Sequence, residues 1–165
     1  MWKLIAYICS RPRVAEYLIR KSMNRPYRHI TSADGKDVYM GRWWLFNPYE
    51  VDYESGKKSL FRFPISIRIH HICRADHDRD LHDHPWNART IIIKGGYVEE
   101  RLGPVTICRD SGATASLRFG EYHRITHVQP GGAWTIFITG KYRGTWGFLV
   151  DGAKVQWRKY LGLEQ

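Results

Sequence analysis

Leu81-His82-Asp83-His84-Pro85-Trp86-Asn87-Ala88-Arg89-Thr90, midway along a chain of 165 residues, places two histidines one residue apart, and the reading of that pair decides the rest. In an extended chain residues i and i+2 point to the same face, so His82 and His84 can approach one ion while Asp83 points away. H-x-H pairs are common in surface loops, and a third donor is needed. His123 supplies it, in the run Phe119-Gly120-Glu121-Tyr122-His123-Arg124-Ile125-Thr126-His127. Strand alternation puts His123, Ile125 and His127 on one side, so an inward His123 brings His127 with it.

The surrounding chain reads as β-structure. With 43% hydrophobic and 25% charged residues the composition is that of an ordinary globular domain, which excludes a disordered chain or a repeat array. Its 7 Trp, 10 Tyr and 6 Phe favour pleated surfaces. From Leu60 to Ile72 apolar and polar residues alternate, Ile65, Ile67 and Ile69 on one face and Ser66, Arg68 and His70 on the other. Further strand-like runs cover Arg89–Val98, Val105–Arg109, Ala113–Leu117, His123–Val128, Trp134–Thr139, Trp146–Val150 and Lys154–Trp157. They are punctuated by Gly95-Gly96, Gly103-Pro104, Asp110-Ser111-Gly112, Phe119-Gly120, Pro130-Gly131-Gly132 and Asp151-Gly152. Asp34-Gly35 marks a hairpin between His29–Thr31 and Val38–Trp44, and Asn47–Ser59 reads as a polar loop. Many short strands at this spacing predict an all-β sandwich or barrel in one domain.

Two helices precede it, Trp2–Cys9 and Arg13–Met23, the second opened by Pro12 and carrying an apolar face of Val14, Tyr17 and Leu18. The expected division is a helical segment over residues 1–26, packed on a barrel domain over 27–165. The chain has 26 basic and 16 acidic side chains, for a net charge of +10, so anions are attractive partners. Lys3, Arg11, Arg13, Arg20, Lys21, Arg25 and Arg28 face only Glu16 in the leading segment, which concentrates the excess there. Met1–Cys9 is far shorter than the ~20 residues that span a bilayer, and reads as a docking helix rather than a signal peptide. Cys9, Cys73 and Cys108 form no C-x-x-C pair, which argues against a disulfide framework or zinc knuckle and fits a reducing cytoplasm, with no membrane association.

With both histidine motifs in view the sequence resembles the cupin superfamily. His82, His84 and Gly96 fit the first cupin motif, with Arg89 where its glutamate stands; Gly120 and His123 fit the second, with Arg118 in the proline place and His127 in the asparagine place. The resemblance covers about residues 60–150 and implies a double-stranded β-helix holding a divalent metal through His82, His84 and His123. The run LHDHPWNARTIIIKGGYVEE is similar to small cupins of phage and bacterial genomes, a group without an assigned activity. The three-histidine set without glutamate also resembles that of thiol dioxygenases, which implies Fe(II) as the cofactor, with Zn, Ni or Mn as alternatives. The Ser-x-His-x-Tyr arrangement of those enzymes is replaced here by Thr135-Ile136-Phe137-Ile138-Thr139.

Arg89 in the carboxylate place is electrostatically awkward beside a divalent ion. If it faces inward with His84, a carboxylate or phosphate bridging metal and guanidinium satisfies both. Otherwise it pairs with a carboxylate such as Glu121 or turns outward. Arg89 and His127 are thus the expected catalytic side chains and a small anionic molecule the expected ligand. The function expected is that of a non-haem oxygenase, the alternatives being a non-catalytic ligand-binding or structural cupin or a basic nucleic-acid accessory protein. Pairing through edge strands would make a homodimer. The tract Arg74-Ala75-Asp76-His77-Asp78-Arg79-Asp80 reads as a solvated, self-paired turn rather than a second metal site with His70 and His71, and Glu99 and Glu100 read as exposed. The tryptophans Trp43, Trp44, Trp134, Trp146 and Trp157 read as core or cavity wall.

Overall fold

Residues 1–32, 35–48, 63–78, 80–103 and 105–163 are described by the structure, a computed structural model. Asp34 of the expected hairpin turn, residues 49–59 of the polar loop, the Leu60–Arg62 start of the alternating run, Arg79 and Pro104 lie outside them.

Helices α1 (Trp2–Cys9) and α2 (Pro12–Met23) come first, followed by β1 (Ile30–Thr31), β2 (Val38–Phe46), β3 (Ser66–Ile72), β4 (Trp86–Lys94), β5 (Gly96–Arg101) and β6 (Val105–Asp110). After these come β7 (Thr114–Leu117), β8 (His123–Val128), β9 (Ala133–Tyr142), β10 (Gly147–Val150), β11 (Ala153–Gln156) and the short α3 (Trp157–Tyr160). The expected single run Arg89–Val98 is two strands. Gly95 breaks it with φ +68°, at a place where a Cβ would meet the Gly132 carbonyl oxygen at 2.1 Å. There the chain passes from one antiparallel sheet, ordered β1-β2-β3-β9-β4-β7, into a second, ordered β6-β5-β8. The β10–β11 hairpin joins the second sheet through His82, which makes antiparallel bridges to both His123 and Phe148. The result is an all-β barrel of two facing sheets.

The apolar side of the larger sheet lies outside the barrel, under the helices. Ile69, Ile91, Ile93 and Ile136 are buried there against Ala6 of α1 and Ala15 of α2, with Trp2, Ile5, Leu18 and Ile19 closing the contact. The face that α2 presents is therefore Ala15, Leu18, Ile19 and Ser22. Tyr17, expected in the apolar face, is half exposed, because the small Ala15 and Ser22 let the helix approach closely. The opposite side of the sheet lines the barrel. Ile72, Ile92, Tyr97, Ile125 and Ala133 fill one end of it, and Ala88, Leu117 and Phe137, with Trp86, lie further along. Between them β3 contributes Ser66, Arg68 and His70, all buried. The alternation read from the sequence is real, but its polar face is the interior one.

Ile91 is 1% exposed at the centre of the layer between helices and sheet. Ile91→Ala is expected to cost about 2 to 5 kcal/mol of stability through lost burial and the cavity left behind. In urea unfolding the midpoint should fall with the slope unchanged.

Candidate metal centre

His82 and His123 are brought together by the backbone. Each donates its N–H to the other's carbonyl at 2.9 Å, so the two residues sit opposite each other as a close antiparallel pair. His84 follows on the same face, and the three rings form a triangle with centroids 5.4, 4.9 and 5.1 Å apart. Asp83, between them, points the other way and is fully buried. Its carboxylate accepts from Gly147 N at 2.8 Å and from Lys154 Nζ at 2.5 Å, which ties the histidine pair to the β10–β11 hairpin.

The donor geometry fits a metal. His84 Nε2 and His123 Nε2 are 2.9 Å apart, close to the ~3.0 Å that separates two nitrogens bound at ~2.1 Å and at right angles about one ion. One ligand atom from each of His82, His84 and His123 lies within 4.8 Å of the other two. The rings of His82 and His84 are also held neutral, as ligation requires. Burial and the neighbouring His123 lower the His82 pKa to about 4 against the partial support of Asp76. Burial, His123, His82, Arg68 and His70 lower that of His84 well below the ordinary imidazole value.

Behind two of the rings stand carboxylates that the sequence reading missed. Glu99 is 1% exposed rather than on the surface, with its oxygens held by Arg101 Nε at 2.9 Å and Arg109 Nε at 2.8 Å. Its Oε1 lies 3.1 Å from His123 Nδ1, a close contact bent away from a linear hydrogen bond. Burial alone would raise the Glu99 pKa, but His123, Arg109 and Arg101 hold it at about 2, so it faces the imidazole as an anion. Asp76 is likewise drawn in from its expected solvated turn. It accepts from the Tyr39 hydroxyl and from Ile125 N at 2.7 Å, and lies 4.0 Å from His82 Nδ1. An anion behind Nδ1 favours the proton there and leaves Nε2 as the donor toward an ion. Parity could have found Glu99, since Tyr97 faces the core and residues 97 and 99 share a side.

Neither expected catalytic residue faces the centre. Arg89 stands five positions after His84, an odd offset, and Trp86, Ala88, Thr90 and Ile92 take the interior side of β4. Arg89 therefore lies with Ile91 and Ile93 under α1, its guanidinium 4.6 Å over the Trp2 ring and donating to Thr114 Oγ1 at 3.2 Å. Glu121 contacts Arg101 instead, at 3.6 Å. His127 is exposed because a register shift between β5 and β8 pairs Val98 with His127 but Glu99 with Ile125, and the extra residue, Thr126, reverses the phase after His123. His70 and His71 sit on opposite faces of β3, His71 stacked on Trp134 at 4.1 Å, and His77 is exposed. No second cluster of three metal-type ligands occurs among the described residues.

The interior beside His84 is cationic and aromatic. The Arg68 guanidinium, 2% exposed, lies 5.2 to 5.6 Å from the rings of Tyr27, Trp44, Trp86 and Phe137. His70 stacks on Phe137 at 4.8 Å, and His84 approaches the same ring at 5.8 Å.

No protein-family model matches the sequence, and no curated protein resembles it significantly. Solved structures do match its shape. A cupin-2 domain protein of Rhodospirillum rubrum superposes with TM-score 0.53 at 12% identity, over 75% of this chain and 74% of that one. A sugar phosphate isomerase of the cupin superfamily from Silicibacter pomeroyi gives 0.52 at 12% identity, over 78% and 80%. The Fe(II) form of a protein named HppE gives 0.50 at 10% identity, over 72% of this chain and 57% of that one. The chain therefore has the cupin fold. Within it, His82, His84 and His123 form a cluster able to hold a divalent metal.

Two outcomes follow from this geometry. Glu99→Gln removes the charge facing His123 Nδ1 and should weaken metal binding about 10- to 100-fold in a chelator competition. For the metal-free protein, the lowered His82 pKa means that the unfolded chain takes up the proton first. Stability is complete above about pH 6.5 and is lost as pH falls toward about 4. A drop in Tm of roughly 5 °C or more across that window is expected in calorimetry, and a flat profile would contradict a neutral, buried His82.

Proposed function

We propose that the protein is a mononuclear metal-dependent oxygenase of the cupin type acting on a small anionic molecule, with His82, His84 and His123 holding the ion. The observation that carries this reading is the 2.9 Å approach of the His84 and His123 Nε2 atoms, with carboxylates behind the outer nitrogens of His82 and His123. A divalent ion bound there supplies Lewis acidity and, as Fe(II), the electrons for dioxygen chemistry. Three neutral donors leave coordination positions and the full positive charge of the ion available to an anionic ligand. The Fe(II) state of HppE, on the same fold, agrees with iron as the ion, and Zn, Ni and Mn suit the same donors.

The residues of the chain divide the remaining work. Asp76 and Glu99 fix ring orientation and keep protons on the outer nitrogens. Phe137, Trp86 and Phe148 surround the histidines with apolar surface, which limits water and strengthens electrostatic contacts inside. Cys73 and Cys108 are exposed free thiols, in keeping with a cytoplasmic protein. Among the described residues no helix is long and apolar enough to cross a membrane.

Protein purified without chelator is expected to carry about one equivalent of divalent metal by elemental analysis, and His123→Ala to lose it while keeping its far-UV circular dichroism. The iron-loaded protein should consume dioxygen in an electrode assay when offered a panel of small carboxylates and phosphates. Metal retention without uptake across the panel would favour the competing reading, a non-catalytic ligand-binding barrel. Absence of metal in the wild type would overturn the oxygenase reading.

A further inference from the structure

Three buried polar atoms beside the histidine cluster have no hydrogen-bond partner among the described residues: His70 Nε2, Trp86 Nε1 and Thr139 Oγ1. Such atoms are rare in folded proteins because each forfeits its bonds to water without replacing them. His70 is 7% and Thr139 1% exposed. All three border the same part of the interior. The His70 ring stacks on Phe137, Thr139 lies two residues further along β9 on the same face, and Trp86 is 5.2 Å from the guanidinium of Arg68, which pairs across the sheet with Phe137. His84 approaches both Phe137 and Trp86, at 5.8 and 6.4 Å, so this stretch adjoins the candidate metal position.

The chemistry of the three atoms is consistent. An indole N–H only donates, a hydroxyl donates readily, and a neutral imidazole donates from whichever nitrogen carries its proton. Burial, Arg68 and Arg42 keep His70 neutral, and both of those charges are positive. Buried donors of this kind suit an acceptor group carrying negative charge. The described carboxylates of the centre, Asp76 and Glu99, are engaged behind His82 and His123.

We infer that His70, Trp86 and Thr139 form a subsite for an oxyanion, a carboxylate or phosphate group, with Arg68 supplying positive potential. The anion-orienting task expected of Arg89 falls to the interior face of β3 and β9. The inference rests on the proposed function for where the remainder of the ligand lies, but the oxyanion contact itself needs no ion.

The test uses metal-free full-length protein, titrated with inorganic phosphate and separately with acetate while tryptophan fluorescence is followed. Saturable quenching is expected with at least one of the two, and which one distinguishes a phosphate from a carboxylate ligand. Thr139→Val and His70→Asn should each weaken binding about tenfold, whereas Arg89→Met, altered on the helix side, should leave it unchanged. Thr139→Val also has a signature without ligand. Removing an unbonded buried hydroxyl should leave Tm unchanged or raise it, and a clear fall would show that the hydroxyl serves packing, overturning its assignment. Binding unaffected by either interior variant, or weakened equally by Arg89→Met, would overturn the subsite. Because His123→Ala should bind the anion as the wild type does, failure of the metal reading leaves a distinct result: anion binding without metal retention.

Discussion

The reciprocal backbone pair between His82 and His123 is the constraint on which the centre depends. Two 2.9 Å hydrogen bonds across a short antiparallel bridge fix residues 41 positions apart in the chain as nearest neighbours. Their side chains then have little choice about where they meet. The same residue bridges Phe148, so one short segment closes the second sheet and presents two of the three ligands. Fold closure and donor placement are a single event here, not a scaffold with a site added.

The polarity of the larger sheet is inverted relative to a simple sandwich, and this explains the leading helices. Isoleucines from β3, β4 and β9 face outward and would be exposed without α1 and α2. The interior is free to carry Arg68, His70, Thr135 and Thr139 because the helix-covered face provides the main apolar burial. Burying these polar groups works against folding unless each is satisfied, and the helical layer offsets that cost from outside the barrel. The strongly basic leading segment thus has a packing role through Trp2, Ile5, Leu18 and Ile19, whatever its charges attract.

Period-two alternation made much of this legible. The strands, both opening helices and the three converging histidines follow from local pattern plus motif spacing, because same-face relations survive wherever a strand stays regular. What failed was phase. Arg89 was placed by motif position although its parity relative to His84 is odd, and His127 was placed by parity although a bulge at Thr126 resets it. No local signal in the sequence announces that bulge. Asp76 and Glu99 were assigned to solvent because charge runs usually lie there, and their partners, Tyr39, Ile125, Arg101 and Arg109, are mostly remote in sequence. Which face of β3 is interior was equally hidden, since the helices that cover its apolar side are themselves separated from it by the whole of β1 and β2.

Asp83 has one more consequence. Its buried carboxylate is clamped by Gly147 and Lys154, while Tyr160 of α3 stacks on Phe148 at 3.8 Å and hydrogen-bonds Asp80 at 2.9 Å. The tail of the chain is thereby fastened to the residues flanking two ligands. These contacts give a physical route by which occupancy of the centre and opening of α3 can be linked equilibria, and any such linkage is reciprocal in free energy. Amide exchange along β10 and β11 would then register the loading of a site that those strands do not themselves supply.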